Sequence, residues 1–328
     1  MARTDLVLSL IKASAIGDQA ALRRTVEAMA AEERQKQHHT YADQLLQYLE
    51  AFTQSRRTNE GPSSAPDLVT EVVPRRLLSD LTLTPATEEI CREFIEEQLR
   101  AELLRSHGVE PRNRLLLIGP PGNGKTSLAE AIAAEISIPL LRVRYDSLIT
   151  SFLGETAVRL SRLFDFVRTR RCAVFFDEFD AIAKERGDEH EIGEIKRIVS
   201  SLLLNLDQLP SYVVVIVATN HPELLDRAAW RRFQTSIVLD KPTLRQILQW
   251  IRRFELHTGL HLRISESMII RKLKGASFAD VEELCRDVQR RTILDGADAS
   301  VSRIALQQLE KKNKELGIRR AANDKGDV

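Results

Sequence analysis

The chain has 328 residues, room for about two domains, and 48 lysines and arginines stand against 47 aspartates and glutamates for a net charge of +1. That balance argues against a dedicated nucleic-acid binder, which carries a basic excess. No stretch approaches the roughly 18 apolar residues of a membrane span, and the N-terminus lacks the basic start, apolar run and cleavage site of a secretory leader, so a cytoplasmic protein without a membrane partner is expected.

Residues 4–54 carry helical periodicity: Leu22, Val26 and Met29 share one face, and Tyr41, Leu45, Tyr48, Leu49 and Phe52 another. Gly17-Asp18 divides the first two helices, with Asp18 as an N-cap. Residues 1–55 are therefore expected to form a small all-helical domain, either an adaptor for substrate docking or an oligomerisation or capping element. Gly61-Pro62-Ser63-Ser64-Ala65-Pro66 breaks the pattern, and 56–74 read as a flexible linker. From 75 to 241 helical patterns separate apolar runs at Leu115–Ile118, Leu140–Val143, Cys172–Phe176 and Val213–Val217, with a further run at Ile237–Leu239. Such alternation implies an α/β fold with a parallel sheet and helices on both faces. Residues 242–315 hold helical patterns alone, and 316–328 read as a charged, solvated tail. Cys91, Cys172 and Cys285 lie far apart without metal-site spacing, as expected of free buried thiols in a reducing compartment.

The most informative segment is Gly119-Pro120-Pro121-Gly122-Asn123-Gly124-Lys125-Thr126, between the apolar run ending at Ile118 and a helical pattern starting near Ser127. A glycine-rich turn between strand and helix points backbone amides at phosphate oxygens, and the helix N-terminus adds roughly half a positive charge. In this pattern Lys125 reaches the β- and γ-phosphates and the Thr126 hydroxyl ligates Mg²⁺. The alternative, a glycine-rich surface turn with a stray lysine, fits the strand-then-helix context poorly.

Phe175-Phe176-Asp177-Glu178 places two carboxylates at the end of an apolar strand, where Asp177 can hold Mg²⁺ and Glu178 can orient and activate water. By themselves they could equally be solvated acids at a strand end. Asn220, after Ala218-Thr219, would sit beside the γ-phosphate, although asparagine is also an ordinary turn former.

Together with Leu225-Asp226-Arg227-Ala228-Ala229-Trp230-Arg231-Arg232-Phe233, these motifs resemble an AAA ATPase over roughly residues 75–315. The Arg231-Arg232-Phe233 form, in place of Arg-Pro-Gly-Arg-Phe, and the segment Asp188–Glu191 are similar to the spastin and katanin branch. The resemblance implies a P-loop NTPase core with a helical lid, ATP and Mg²⁺ as ligands, and Arg231 and Arg232 as arginine fingers inserted into a neighbouring subunit. It implies a first pore loop at Phe152, Leu153 and Gly154, which could otherwise be core residues opening a helix. His190 and Glu191 match a second pore loop. Gly275-Ala276-Ser277-Phe278-Ala279-Asp280 resembles the lid motif, with Phe278 where glycine is usual and Ala279 where other branches carry an arginine. His257 matches a histidine that packs near the nucleotide sugar, or is a surface histidine.

The function expected from this resemblance is ATP hydrolysis by a homohexameric ring that remodels or unfolds protein substrates. The alternative is an ATP-controlled scaffold that recruits an effector such as a protease. A DNA-stimulated ATPase is disfavoured by the neutral charge. Bacterial stand-alone ATPases of this shape are similar, some paired with proteases.

Overall fold

The computed structural model describes residues 25, 26, 28–30, 67–148, 153–179, 202–224, 230–296 and 300–323. The chain divides into two compact units, Met1–Ser64 and Ala65–Val328. In the first unit, the described residues 25, 26 and 28–30 are helical, with Met29 and Ala30 buried. The stripe from Tyr41 to Phe52 lies outside the described residues.

The second unit is built on a six-stranded sheet. Its strands are β1 (Val69–Val72), β2 (Arg114–Ile118), β3 (Leu140–Val143), β4 (Ala173–Phe176), β5 (Val214–Thr219) and β6 (Thr235–Val238). Their order is β1-β3-β4-β5-β2-β6, with β1 antiparallel to β3 and every other pairing parallel. Strand β1 corrects the expected linker 56–74. Val-Thr-Glu-Val is too short to stand out beside a Gly/Pro/Ser run, and it is set as a strand by pairing with β3, from Val69↔Val143 to Val72↔Leu140.

The central strands are buried on both faces, which explains why they read as unbroken apolar runs rather than as alternations. Leu116, Ile118, Val174, Phe176, Val215 and Val217 face one core; Leu115, Leu117, Ala173, Phe175, Val214, Ile216 and Ala218 face the other. Against the first packs α5 (Leu153–Arg168), through Leu160, Leu163, Phe164 and Val167. Against the second pack α3 (Lys125–Glu135) and α1 (Pro85–Leu99), the latter started by Thr84 as N-cap and Pro85 at the first turn. Of two short helices, α4 (Tyr145–Leu148) packs on the first core through Leu148, and α2 (Ala101–Ser106) follows α1 with no buried residue.

A third core joins the C-terminal helices α6 (Leu244–Thr258), α7 (Glu266–Lys272), α8 (Phe278–Asp295) and α9 (Val301–Asn323). Helix α6 opens on a Thr243/Gln246 capping box and stops at Gly259 in the left-handed conformation. Helix α9 runs past the expected end of the lid at 315. Residues 316–323 are helical, and Leu316 continues the buried stripe from Leu309, while Ile318 is exposed.

All three cysteines are free and buried, and burial pushes each thiol up to about 12. They stay protonated and inert at neutral pH.

Candidate active site

The parallel pairings bring the carboxyl ends of β2, β4 and β5 to one edge, where open α/β sheets bind their ligands. From β2 the chain enters the glycine loop. A Cβ on Gly119, whose φ is +147°, would stand 2.1 Å from the Leu239 carbonyl oxygen, so no side chain fits there. Gly122, with φ +77°, is pressed against Ser277 and Ala279 of the lid, and its carbonyl accepts from the Ala279 amide at 2.9 Å. Helix α3 starts after Gly124 with no side-chain cap. Its first-turn amides thus have no capping side chain and suit an anion.

Lys125 is buried, and its ammonium donates to the carbonyls of Gly119 (2.6 Å) and Pro120 (3.1 Å) and to Asn220 Oδ1 (2.7 Å). This last bond joins the tip of β5 to the phosphate loop. The Thr126 hydroxyl donates to Asp177 Oδ2 at 2.9 Å, pairing the two expected Mg²⁺ ligands. Glu178 follows with φ +51°, a left-handed conformation costing a non-glycine residue about 1–2 kcal/mol. Strain of this kind persists where the surroundings over-determine it, often at functional sites.

Lys125, Thr126, Asp177, Glu178 and Asn220 line one cavity of about 570 Å³, together with Pro121, Gly122, Asn123, Gly124 and Ser127, whereas Gly119 and Pro120 do not line it. His257 also lines it, with an exposed side chain. So do residues that sequence reasoning missed: Arg76, Leu81–Leu83, Trp250, Arg253 and Phe254. Trp250 and Phe254 stack with ring centroids 5.8 Å apart. Their four-residue spacing on α6 was legible as a helix face but not as a cavity wall. Among the described residues, three buried polar atoms at the cavity, Thr82 Oγ1, Asn123 Oδ1 and Arg253 Nη1, have no hydrogen-bond partner. Orphaned polar atoms, a glycine cradle and a buried ammonium fit a nucleoside triphosphate with its divalent cation. Phe278, the departure in the lid motif, also lines the cavity, from the first turn of α8.

Arg231 and Arg232 do not line this cavity. Arg231 is exposed. Arg232 is half-buried, donates to the Leu203 carbonyl at 3.1 Å and pairs with Asp207, which also holds Arg114 at 2.5 Å. Trp230 and Phe233 brace the segment against the first core. Leu153 and Gly154 begin α5, while Phe152 and the segment Asp188–Glu191 lie outside the described residues.

Residues 115–241 match the ATPase family associated with various cellular activities (AAA). An uncharacterized AAA family ATPase, y4kL of Sinorhizobium fredii, is 35% identical over 306 residues, covering 90% of this chain and 91% of that protein. The chain belongs to the AAA ATPase family. Peroxisomal ATPase pex6 of Schizosaccharomyces pombe is 36% identical over 175 residues, 51% of this chain and 18% of pex6. A Cell division cycle protein 48 homolog of Archaeoglobus fulgidus is 30% identical over 269 residues, 78% of this chain and 36% of the homolog. This AAA protein thus spans most of y4kL but only a fraction of the other two. It is a nucleotide-binding ATPase with a mostly parallel α/β core, and among its described residues no helix is long and apolar enough to cross a membrane.

The lid of the AAA protein is locked at the start of α8. Ser277 and Asp280 form a capping box, and Asp280 sits 3.2 Å from the buried Lys312 of α9, which also pairs with Glu283. Burial pushes the Asp280 carboxyl up, but hydrogen bonds from the Ser277 backbone and hydroxyl and the Lys312 ammonium outweigh it and hold it below the ordinary range. Burial lowers the Lys312 ammonium, but Glu283 and Asp280 outweigh it and raise it. A depressed carboxylate stabilises above its unfolded value and loses that stability as pH falls through the folded one; a raised ammonium stabilises below its unfolded value and loses it as pH rises through the folded one. Asp280 should therefore weaken the lid below about pH 4, and Lys312 above about pH 10.5. In thermal melts, Lys312→Met should lower Tm at pH 7 and flatten the acid limb. An unchanged acid limb would assign that limb to other carboxylates.

Proposed function

We propose that this AAA ATPase works as a ring in which ATP turnover remodels or unfolds a protein substrate. What carries this reading is the division of the site. Lys125, Thr126, Asp177, Glu178 and Asn220 converge on one cavity, whereas Arg231 is exposed outside it. A second copy of the chain would supply that arginine, so hydrolysis requires assembly. Lys125 and the loop amides bind the phosphates, and Thr126 and Asp177 hold Mg²⁺. Bound Mg²⁺ neutralises phosphate charge. Glu178 orients water and takes its proton, and Asn220, released from Lys125, reports the state of the γ-phosphate. Phe152 from each subunit would line a central channel, gripping extended chain by stacking and apolar contact. The name of pex6, a peroxisomal ATPase, supports ATP turnover as the driving activity, and the Ala228–Phe233 segment supports kinship with spastin and katanin. Residues 1–55 serve as a docking unit, and the free buried thiols suit the cytoplasm.

Activity per subunit should rise with protein concentration and level off as rings complete. A flat profile from low nanomolar upward, in a protein shown to be monomeric by sedimentation, would refute assembly-dependent hydrolysis. Phe152→Ala should keep ATPase turnover but lose polypeptides trapped by the ATP-bound ring. Trapping undiminished by Phe152→Ala would favour the scaffold that recruits an effector without threading.

A further inference from the structure

Arg142 is not a residue that any phosphate-loop signature calls for. It lies on β3, opposite Phe175 of β4 and so beside the strand end that carries Asp177. Its Nη2 donates to Asp177 Oδ2 at 3.0 Å. The same oxygen accepts the Thr126 hydroxyl at 2.9 Å, while Asp177 Oδ1 accepts the Glu178 amide at 3.1 Å. The guanidinium therefore stands on the carboxylate oxygen that, with Thr126, makes up the divalent-cation seat. Asp177 is 14% exposed, but the Arg142 side chain is 50% exposed. The carboxylate is fixed, and the cation has open space to leave into.

We propose that Arg142 is a resident counter-cation of this seat, competing with Mg²⁺ for Asp177 and setting how strongly nucleotide binding depends on Mg²⁺. The proposal rests on the reading of Thr126 and Asp177 as the Mg²⁺ ligands. With the seat free of metal, an unpaired Asp177 would repel the incoming polyphosphate; Arg142 cancels that charge and so permits metal-free binding. When Mg²⁺ arrives, the Arg142–Asp177 pair must break, so the same residue weakens the metal's hold. One side chain thus raises affinity without Mg²⁺ and lowers the gain from adding it. A half-exposed ion pair shifts an equilibrium by at most about fivefold, which sets the expected scale.

The test is binding of a fluorescent ATP analogue to the full chain, in EDTA and across a Mg²⁺ titration, for the parent, Arg142→Gln, Arg142→Lys and Lys125→Ala. Arg142→Gln should bind about three- to fivefold more weakly in EDTA and need about three- to fivefold less Mg²⁺ for half-maximal tightening. Arg142→Lys, which keeps the charge, should stay near the parent. Equal changes with and without Mg²⁺, or none, would overturn the inference. In the unmutated chain, phenylglyoxal modification of Arg142, read by mass spectrometry, should be faster with ADP and Mg²⁺ than with ADP in EDTA. Equal rates overturn it without recourse to any variant. If the parent binds the analogue no better with Mg²⁺ than in EDTA while Lys125→Ala abolishes binding, the metal seat itself is misread. If the parent depends on Mg²⁺ and the Arg142 variants depend on it equally, only the role of Arg142 falls.

Discussion

Glu178→Gln is expected to bind ATP as the parent does and to hydrolyse it about 10²–10⁴ times more slowly, the usual contribution of a positioned general base. The side chain lines the cavity, and its backbone is held at φ +51° by the strand end behind it. Glutamine preserves shape and leaves Asp177, Thr126 and Lys125 in place, so affinity has no reason to change. The measurement is a single-turnover time course beside an equilibrium binding curve. Turnover within about tenfold of the parent would mean that another group orients the water, and Asn220, which accepts from Lys125 at 2.7 Å, would be next to test.

Arg231 and Arg232 are adjacent in sequence, but the structure gives them different circumstances, and their substitutions should differ accordingly. Arg231→Ala removes an exposed side chain. It should leave Tm unchanged and lower kcat by about 10³–10⁵, the usual effect of a lost arginine finger. Arg232→Ala breaks the bond to the Leu203 carbonyl and leaves Asp207 to Arg114 alone. It should lower stability by about 1 kcal/mol, because the pair is partly exposed, whatever it does to turnover. Mixing settles whether the arginine acts between subunits. In a ring with head-to-tail interfaces, Arg231→Ala subunits keep an intact Glu178, and Glu178→Gln neighbours offer an intact Arg231. An equimolar mixture of the two inactive variants should recover up to about a quarter of parental activity, the fraction of interfaces complete under random assembly. No recovery above the sum of the parts, with mixed rings confirmed, would place Arg231 outside the reaction.

What was legible in the sequence was local. The glycine loop, the acids after Phe176 and Asn220 after Thr219 sit at strand ends, and a parallel sheet necessarily gathers such ends on one edge. Arg142 was silent because it meets Asp177 from a neighbouring strand, 35 positions away, inside an otherwise apolar run. The division between Arg231 and Arg232 depends on Asp207, 25 positions before Arg232. The cavity wall formed by Trp250, Arg253 and Phe254 depends on where the third core sets α6 beside the glycine loop, which periodicity does not report. Strand β1 needed its partner β3 to exist at all. Helix α9 was read too short because its buried positions beyond 314 are sparse, Leu316 standing among charged neighbours.

The bond from the Ala279 amide to the Gly122 carbonyl has a mechanical meaning. It pins one end of α8 to the glycine loop, and the helix is 18 residues long, so about 24 Å of it lies beyond the bond at 1.5 Å per residue. That is a beam hinged at the nucleotide. A tilt of about 5° at the hinge, too small to register among the loop atoms, sweeps the far tip through about 2 Å over such a length. The tip carries Ile293 and Leu294, 70% and 77% exposed. A tilt at the loop would therefore be magnified into displacement of an apolar tip well away from the nucleotide cavity.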